Sequence, residues 1–261
     1  MSKRSRYAVM IHRLFLFAFL LSTCHSLLAQ DKVTKSIRME NPPVINADLQ
    51  EWGDSLLYNF EGQGMRYSLA NDDEYLYVSI QVKDQASQLK AIYSGFSISV
   101  NKEGKQKQGP TVIFPIPDLA ARRSMDAKEE IRQTKDMRQA GLNMVRAIYV
   151  AGFDKIVDGP ISMENLYGIR TAVKLDSAGN LNYEAAISLK QLDVDRNKAF
   201  ALNIRINETT SHRVNEPAYN RGYGSPYGRN RYGYGNYGTR SRVVSKEAEG
   251  IWHYVELAAK N

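Results

Sequence analysis

The densest run of side chains able to grip a ligand lies at residues 219–242, YNRGYGSPYGRNRYGYGNYGTRSR. It holds six of the 16 tyrosines, six of the 18 glycines and five arginines, with no acid. Tyrosine offers a flat apolar ring with a hydroxyl at its tip, and arginine a planar fork of donors. Together they suit stacking on the C–H face of a sugar and hydrogen bonding to its hydroxyls. Tyr223, Tyr227, Tyr232, Tyr234 and Tyr237, with Arg229 and Arg231, are the candidate ligand contacts of this run, and Trp252 joins them from the next apolar segment. Interface loops use the same mixture of Tyr, Ser, Gly and Asn. Ordering a Gly-rich segment costs about 1–2 kcal/mol per residue, so flexible surface filler is the plainer use of this run. Arginine among aromatics also suits single-stranded nucleic acid.

Other chemistry is thin. The four histidines are His12, His25, His212 and His253, and no two stand at the i, i+4 spacing of a zinc helix. No Gly-flanked serine elbow or phosphate loop occurs. Carboxylates that could pair for glycoside hydrolysis fall mainly in turns and in one helix-forming stretch, so no enzyme and no organic cofactor is expected. Asp48, Asp72 and Asp73 are hard oxygen donors near turns and are the candidate ligands of a structural calcium ion. Turn aspartates more often cap backbone N–H groups. One cysteine, Cys24, excludes an intramolecular disulfide and a cysteine-cluster zinc site.

The charge has to be located before it is interpreted. Lys and Arg number 35 against 28 acids, a net +7. Residues 1–30 hold Lys3, Arg4, Arg6 and Arg13, no acid, and then the apolar run Leu14–Leu21 ahead of small residues ending at Ala29 and Gln30. A basic start, a short apolar stretch and a small residue near the end predict a secretory signal peptide over 1–30. The apolar run falls well short of the roughly 20 residues that span a bilayer, so no transmembrane span is expected after processing. Leu21-Ser22-Thr23-Cys24 gives a second reading, a lipoprotein box with a lipid anchor on Cys24, although threonine before the cysteine is a poor fit. Removing the leader leaves 31 basic residues against 28 acidic ones, and the five arginines of 219–242 more than account for that excess. The basic character therefore belongs to a leader and one loop. Export to the periplasm, the outer membrane or the exterior argues against a nucleic-acid partner.

The mature body, 31–261, reads as one domain of strands that must position these groups. Leu76, Val78, Ile80 and Val82 alternate with polar or tyrosyl neighbours, as do Phe96–Val100, Leu181–Ile187 and Phe200–Ile206. Further strands are predicted at 65–70, 111–115, 144–151, 168–175 and 251–257. Turn formers separate them, as in Asn71-Asp72-Asp73-Glu74 and Asp176-Ser177-Ala178-Gly179-Asn180. Ten or so short strands with one apolar face predict an all-β antiparallel sandwich. Residues 118–140, rich in Ala, Met, Glu, Lys, Arg and Gln, predict a helical excursion. The 219–242 run is then an insertion between the last two strands.

Three stretches resemble the family 9 carbohydrate-binding modules and the family-9-like domains of exported Bacteroidetes-type proteins. Ile45-Asn46-Ala47-Asp48-Leu49-Gln50-Glu51-Trp52 is similar to the opening I-D-G-x-L-x-E-W. Asp72-Asp73-Glu74-Tyr75-Leu76-Tyr77-Val78 is similar to the hairpin D-D-x-x-L-Y-V, and Tyr183-Glu184-Ala185-Ala186-Ile187-Ser188-Leu189 to the late strand Y-E-x-A-I-P-L. The resemblance spans roughly 37–257. It implies an immunoglobulin- or jelly-roll-like sandwich and a non-catalytic module recognising a glycan or cell-envelope component. It also implies a pair of tryptophans around a terminal sugar. This chain has only Trp52 and Trp252, of which Trp52 reads as packing. The alternatives are a structural or protein-interaction sandwich that has lost its sugar site, and an accessory of a glycan-processing hydrolase.

Overall fold

Alternating apolar residues need two layers to bury one face each, and the chain supplies them as two facing sheets. The computed structural model describes residues 33–53, 56, 58–61, 64–117, 134–208 and 250–260. In chain order the strands are β1 (Val33–Lys35), β2 (Ile37–Arg38), β3 (Tyr58–Phe60), β4 (Met65–Asn71), β5 (Tyr75–Val82), β6 (Phe96–Asn101), β7 (Thr111–Pro117), β8 (Val145–Ala151), β9 (Gly159–Ser162), β10 (Ile169–Leu175), β11 (Leu181–Ser188), β12 (Phe200–Ile206) and β13 (Ile251–Glu256). The front sheet runs β1-β13-β12-β6-β7-β8-β9 and the back sheet β10-β11-β5-β4-β2, with β3 also on β4. Pairing is antiparallel except at two short edges, β1 on β13 and β2 on β4.

The protein is therefore a mostly β sandwich, as the alternation predicts. Phe96, Ile98, Phe200, Leu202 and Ile204 of the front sheet meet Leu76, Val78, Ile80, Tyr183 and Ile187 of the back sheet in one buried core. Every strand predicted from alternation is present within a residue or two. The strands not predicted, β1, β2, β3 and β9, are two to four residues long, too short to display a period.

Among the described residues two ten-residue helices and one short one, α3 (Leu189–Leu192), accompany the sheets. Helix α1 (Gln85–Ser94) crosses from β5 to β6, capped by Asp84, whose carboxylate accepts from the Ser87 amide at 2.8 Å. The sequence gives little sign of it because its buried positions are Gln88, Ala91 and Ile92, only two of them apolar. Helix α2 (Thr134–Asn143) occupies the C-terminal part of the expected excursion, which starts earlier, at residues outside the described set. Arg138 of α2 is buried, donating to the Gln88 side chain and to the Gly179 carbonyl, so α2 is tied to α1 and to the β10–β11 turn. Among the described residues no helix is long and apolar enough to cross a membrane.

A second, smaller core lies on the outer face of the back sheet. Residues 37–52 fold over it, so that Ile37, Met39, Ile45 and Leu49 cover Trp52, Ala70, Tyr77 and Ala186. At its end a 3-10 turn (Leu49–Trp52) brings Leu49 and Trp52 to the same side, as their three-residue spacing predicts.

Gly95 ends α1 at φ 82° and ψ 159°, a region open in practice only to glycine. A Cβ there would stand 2.9 Å from both the Ile113 side chain and the Pro115 carbonyl oxygen. Gly95→Ala is expected to cost about 2 kcal/mol or more, read as a lower urea midpoint at unchanged slope.

Candidate functional site

Strand β13 decides what the molecule shows on its front. Val255 is buried in the core and His253 reaches between the sheets, so Trp252 and Tyr254, one residue out of phase, stand on the outer face. In register, Trp252 lies opposite Asn203 and Tyr254 opposite Ala201 on one side and Val33 on the other. Both rings are half-buried and Val33 is exposed, so the edge of the front sheet carries an apolar ledge of two aromatic rings and an aliphatic side chain. β12 and β13 are antiparallel neighbours, so both ends of the 209–249 connection leave from one end of the front sheet. That connection closes at Gly250, two residues from Trp252. Tyr223, Tyr227, Arg229, Arg231, Tyr232, Tyr234 and Tyr237 lie outside the described residues.

The polar row beside the ledge is used internally. Ser99 accepts from the Gly109 amide at 3.1 Å and from the Thr111 hydroxyl at 3.0 Å. Asn203 donates to the Ile251 carbonyl, with Gly250 so close that a Cβ would sit 2.5 Å from its Nδ2. These groups hold strands and loops together.

Trp52 stands on the other side of the sandwich. It is 5% exposed, packs on the outer face of the back sheet, and donates through Nε1 to Glu184 Oε1 at 2.7 Å. Glu184 Oε2 accepts from the backbone amides of Asn46 at 3.0 Å and Ala47 at 2.7 Å. Burial pushes the Glu184 carboxyl above its ordinary value, while Trp52 and the two amides pull it back. Ala47 takes a left-handed φ of 59° to present its amide, at the position where the opening it resembles has glycine. The two tryptophans thus occupy opposite outer faces and cannot close on one ligand.

The aspartates hold backbone. Asp72 accepts from the amides of Glu74 and Tyr75, both at 2.7 Å, and from the Tyr77 hydroxyl at 2.5 Å, which shapes the β4–β5 turn. Asp73 pairs with Arg38 at 3.0 Å and Arg196 at 3.5 Å, and Arg38 holds its carboxyl below the usual range. Asp48 caps the 3-10 turn and faces Lys174 at 3.7 Å. Among the described residues no group of three or more His, Cys, Asp or Glu side chains is placed to hold a metal ion.

His253, to which the sequence assigns no role, links the sheets. Its Nε2 lies 2.5 Å from the Tyr67 hydroxyl and its Nδ1 3.3 Å from Thr34 Oγ1, with Tyr58 stacked on Tyr67 at 5.4 Å between ring centres. Either neutral tautomer satisfies both contacts. Burial lowers the His253 pKa and raises that of Tyr67, so both stay neutral at physiological pH. His253 is thus an interior histidine with a hydroxyl partner on each ring nitrogen.

Compared with known proteins, the chain matches no family model, no curated protein and no solved structure. Function must therefore be argued from the residues themselves.

Two predictions follow from these bonds. Glu184→Gln keeps the shape but turns an amide N–H₂ toward donors, and is expected to cost about 2 kcal/mol and to raise acrylamide quenching of Trp52 in a Trp252→Phe background. His253, depressed in the fold, stabilises fully above its unfolded value of about 6.5 and loses that contribution as pH falls through the folded value. Urea titrations at pH 7.5 and 5 should show a smaller acid loss in His253→Gln than in the parent chain.

Proposed function

We propose that the chain is an exported, non-catalytic binding module that recognises a glycan or cell-envelope component through the Trp252–Tyr254 ledge. The observation that carries this reading is the phase of β13. A tryptophan that could have joined the core stands instead on an outer face, at the foot of the tyrosine- and arginine-rich connection. The ledge supplies flat apolar surface, and the connection's sequence adds tyrosyl hydroxyls and guanidinium groups. The proposal includes the family-9-like kinship, which the Glu184 bonds support because they join two of the three resembling stretches.

The second reading is a structural or protein-interaction sandwich without a sugar site. It is favoured by one specific observation, the placement of Trp52 and Trp252 on opposite faces, which leaves no tryptophan clamp.

A glycan array followed by calorimetry separates the two. The parent chain is expected to bind one soluble glycan class, and Trp252→Ala to weaken that binding ten- to a hundredfold, as loss of a stacked indole requires. The same substitution should change stability by less than about 1 kcal/mol, since the ring is outside the core. Absence of any glycan binding, with behaviour unchanged by Trp252→Ala and by deletion of 219–242, would sink the first reading.

A further inference from the structure

The middle of β13 joins two surfaces that the rest of the strand keeps apart. Trp252 and Tyr254 form the ledge, and His253 between them points the other way, into the gap between the sheets. Its Nε2 meets the Tyr67 hydroxyl of β4 at 2.5 Å, a contact that crosses from the front sheet to the back. Its Nδ1 meets Thr34 Oγ1 of the edge strand β1 at 3.3 Å. The bonds of Ser36, Asn71 and Ala258 also join the sheets here, but they lie past the C-terminal end of β13. Among the described residues, His253–Tyr67 is the side-chain hydrogen bond that β13 itself makes to the back sheet.

The groups around this imidazole are neutral. Tyr67 of β4 and Tyr58 of β3 face it with ring centres 5.5 and 5.7 Å away. Thr34 faces it from β1, and Leu202 lies opposite it in register on β12. Lys35 and Glu256 are one residue out of phase with Thr34 and the buried Val255, and so turn to the outer face. Arg66, out of phase with Tyr67, donates to the Leu56 carbonyl. Burial is what moves the His253 titration, and among the described residues no carboxylate or cation acts on it.

An imidazolium in this place has two costs. Its charge meets no counter-charge in a cluster partly cut off from water. With an N–H on both nitrogens, the ring also has nothing left to accept with. In either neutral tautomer one of the two hydroxyls can donate to it, and protonation removes that acceptor. Tyr67 is 2% exposed, and His253 is its hydroxyl's partner among the described residues. Turning the ring out to water relieves both costs. Side chains alternate along a strand, so His253 cannot turn outward without moving Trp252 and Tyr254 off the face they share. The edge is light enough to give: β1 is three residues long and pairs with Tyr254, Val255 and Glu256.

We propose that His253 is a proton-operated latch for the ledge: neutral, it ties β13 to the back sheet, and protonated, it releases the tie and displaces Trp252 and Tyr254 from the outer face. Burial holds its titration below the ordinary histidine value, so the ledge is intact at neutral pH and withdrawn in acid. That withdrawal releases a glycan rests on the ledge being the binding surface. The displacement itself does not.

The test needs no ligand. The ¹⁵N-labelled full chain is titrated from neutral pH into acid while the indole N–H signal of Trp252 is followed, assigned by its loss in Trp252→Phe. That signal is expected to leave its starting position with the midpoint of the His253 ring, below about 6.5. His253→Gln keeps a hydrogen-bonding side chain that cannot titrate, and there the signal should stay. Tyr67→Phe keeps the ring and removes the tie, so the signal is expected near its acid position already at neutral pH. The Trp52 indole reports Glu184 instead, and its response should be alike in the parent chain and His253→Gln. Four outcomes would overturn the proposal: a Trp252 signal that stays while His253 titrates, one that moves equally in His253→Gln, one that Tyr67→Phe leaves at the parent position, or collapse of all signals at one midpoint, which is global unfolding. Absence of glycan binding with the latch intact would remove the ledge reading alone.

Discussion

A carboxylate buried on the outside of a sheet organises this molecule. Glu184 lies in the middle of β11 and points away from the main core, where water would ordinarily solvate it. Residues 46–52 displace that water and replace it with three N–H donors, so the strap and the sheet depend on each other. The strap needs the carboxylate to anchor a turn that includes a left-handed alanine. The carboxylate needs the strap to be tolerable when buried. Ile45, Leu49 and Trp52 then close over Tyr77 and Ala186, and the outer face of the back sheet is sealed.

That sealing sets where binding can occur. With the back face covered, the front face and the two ends remain. The front face is in turn pinned by bonds at its open edge. Ser36, between β1 in one sheet and β2 in the other, donates to Asn71 Oδ1 at 2.5 Å, and the Ala258 amide donates to Ser36 and Asn71 at 3.0 and 2.9 Å. The His253–Tyr67 contact adds a second bridge. Together they fix which residues of β13 turn inward, and so hold Trp252 and Tyr254 outward.

Much of this was legible in the residues and some was not. Long alternating strands announce themselves because a half-buried strand has to repeat every two residues. Trp52 as packing followed from its place in the resembling opening, and Leu49 as its companion from a spacing of three. Helix α1 was hidden because a helix wedged between sheet edges is buried through Gln88 and a few small or aliphatic residues, without a broad apolar stripe. The aspartates near turns carry the donors calcium needs, although such residues more often cap backbone N–H groups. In the fold Asp72 accepts from three donors of its own turn and strand, a set that spacing alone does not reveal.

The sequence by itself determined the local choices: where strands run, which face of each is apolar, where turns fall, and that the excess charge resides in residues 1–30 and one tyrosine-rich segment. These depend on neighbours one to four residues apart. The tertiary structure alone decided that Glu184 meets Trp52 across 132 positions and that the two tryptophans face opposite ways. Such meetings depend on sheet order and register, which are set by the packing of the whole core and leave no periodic mark on the chain.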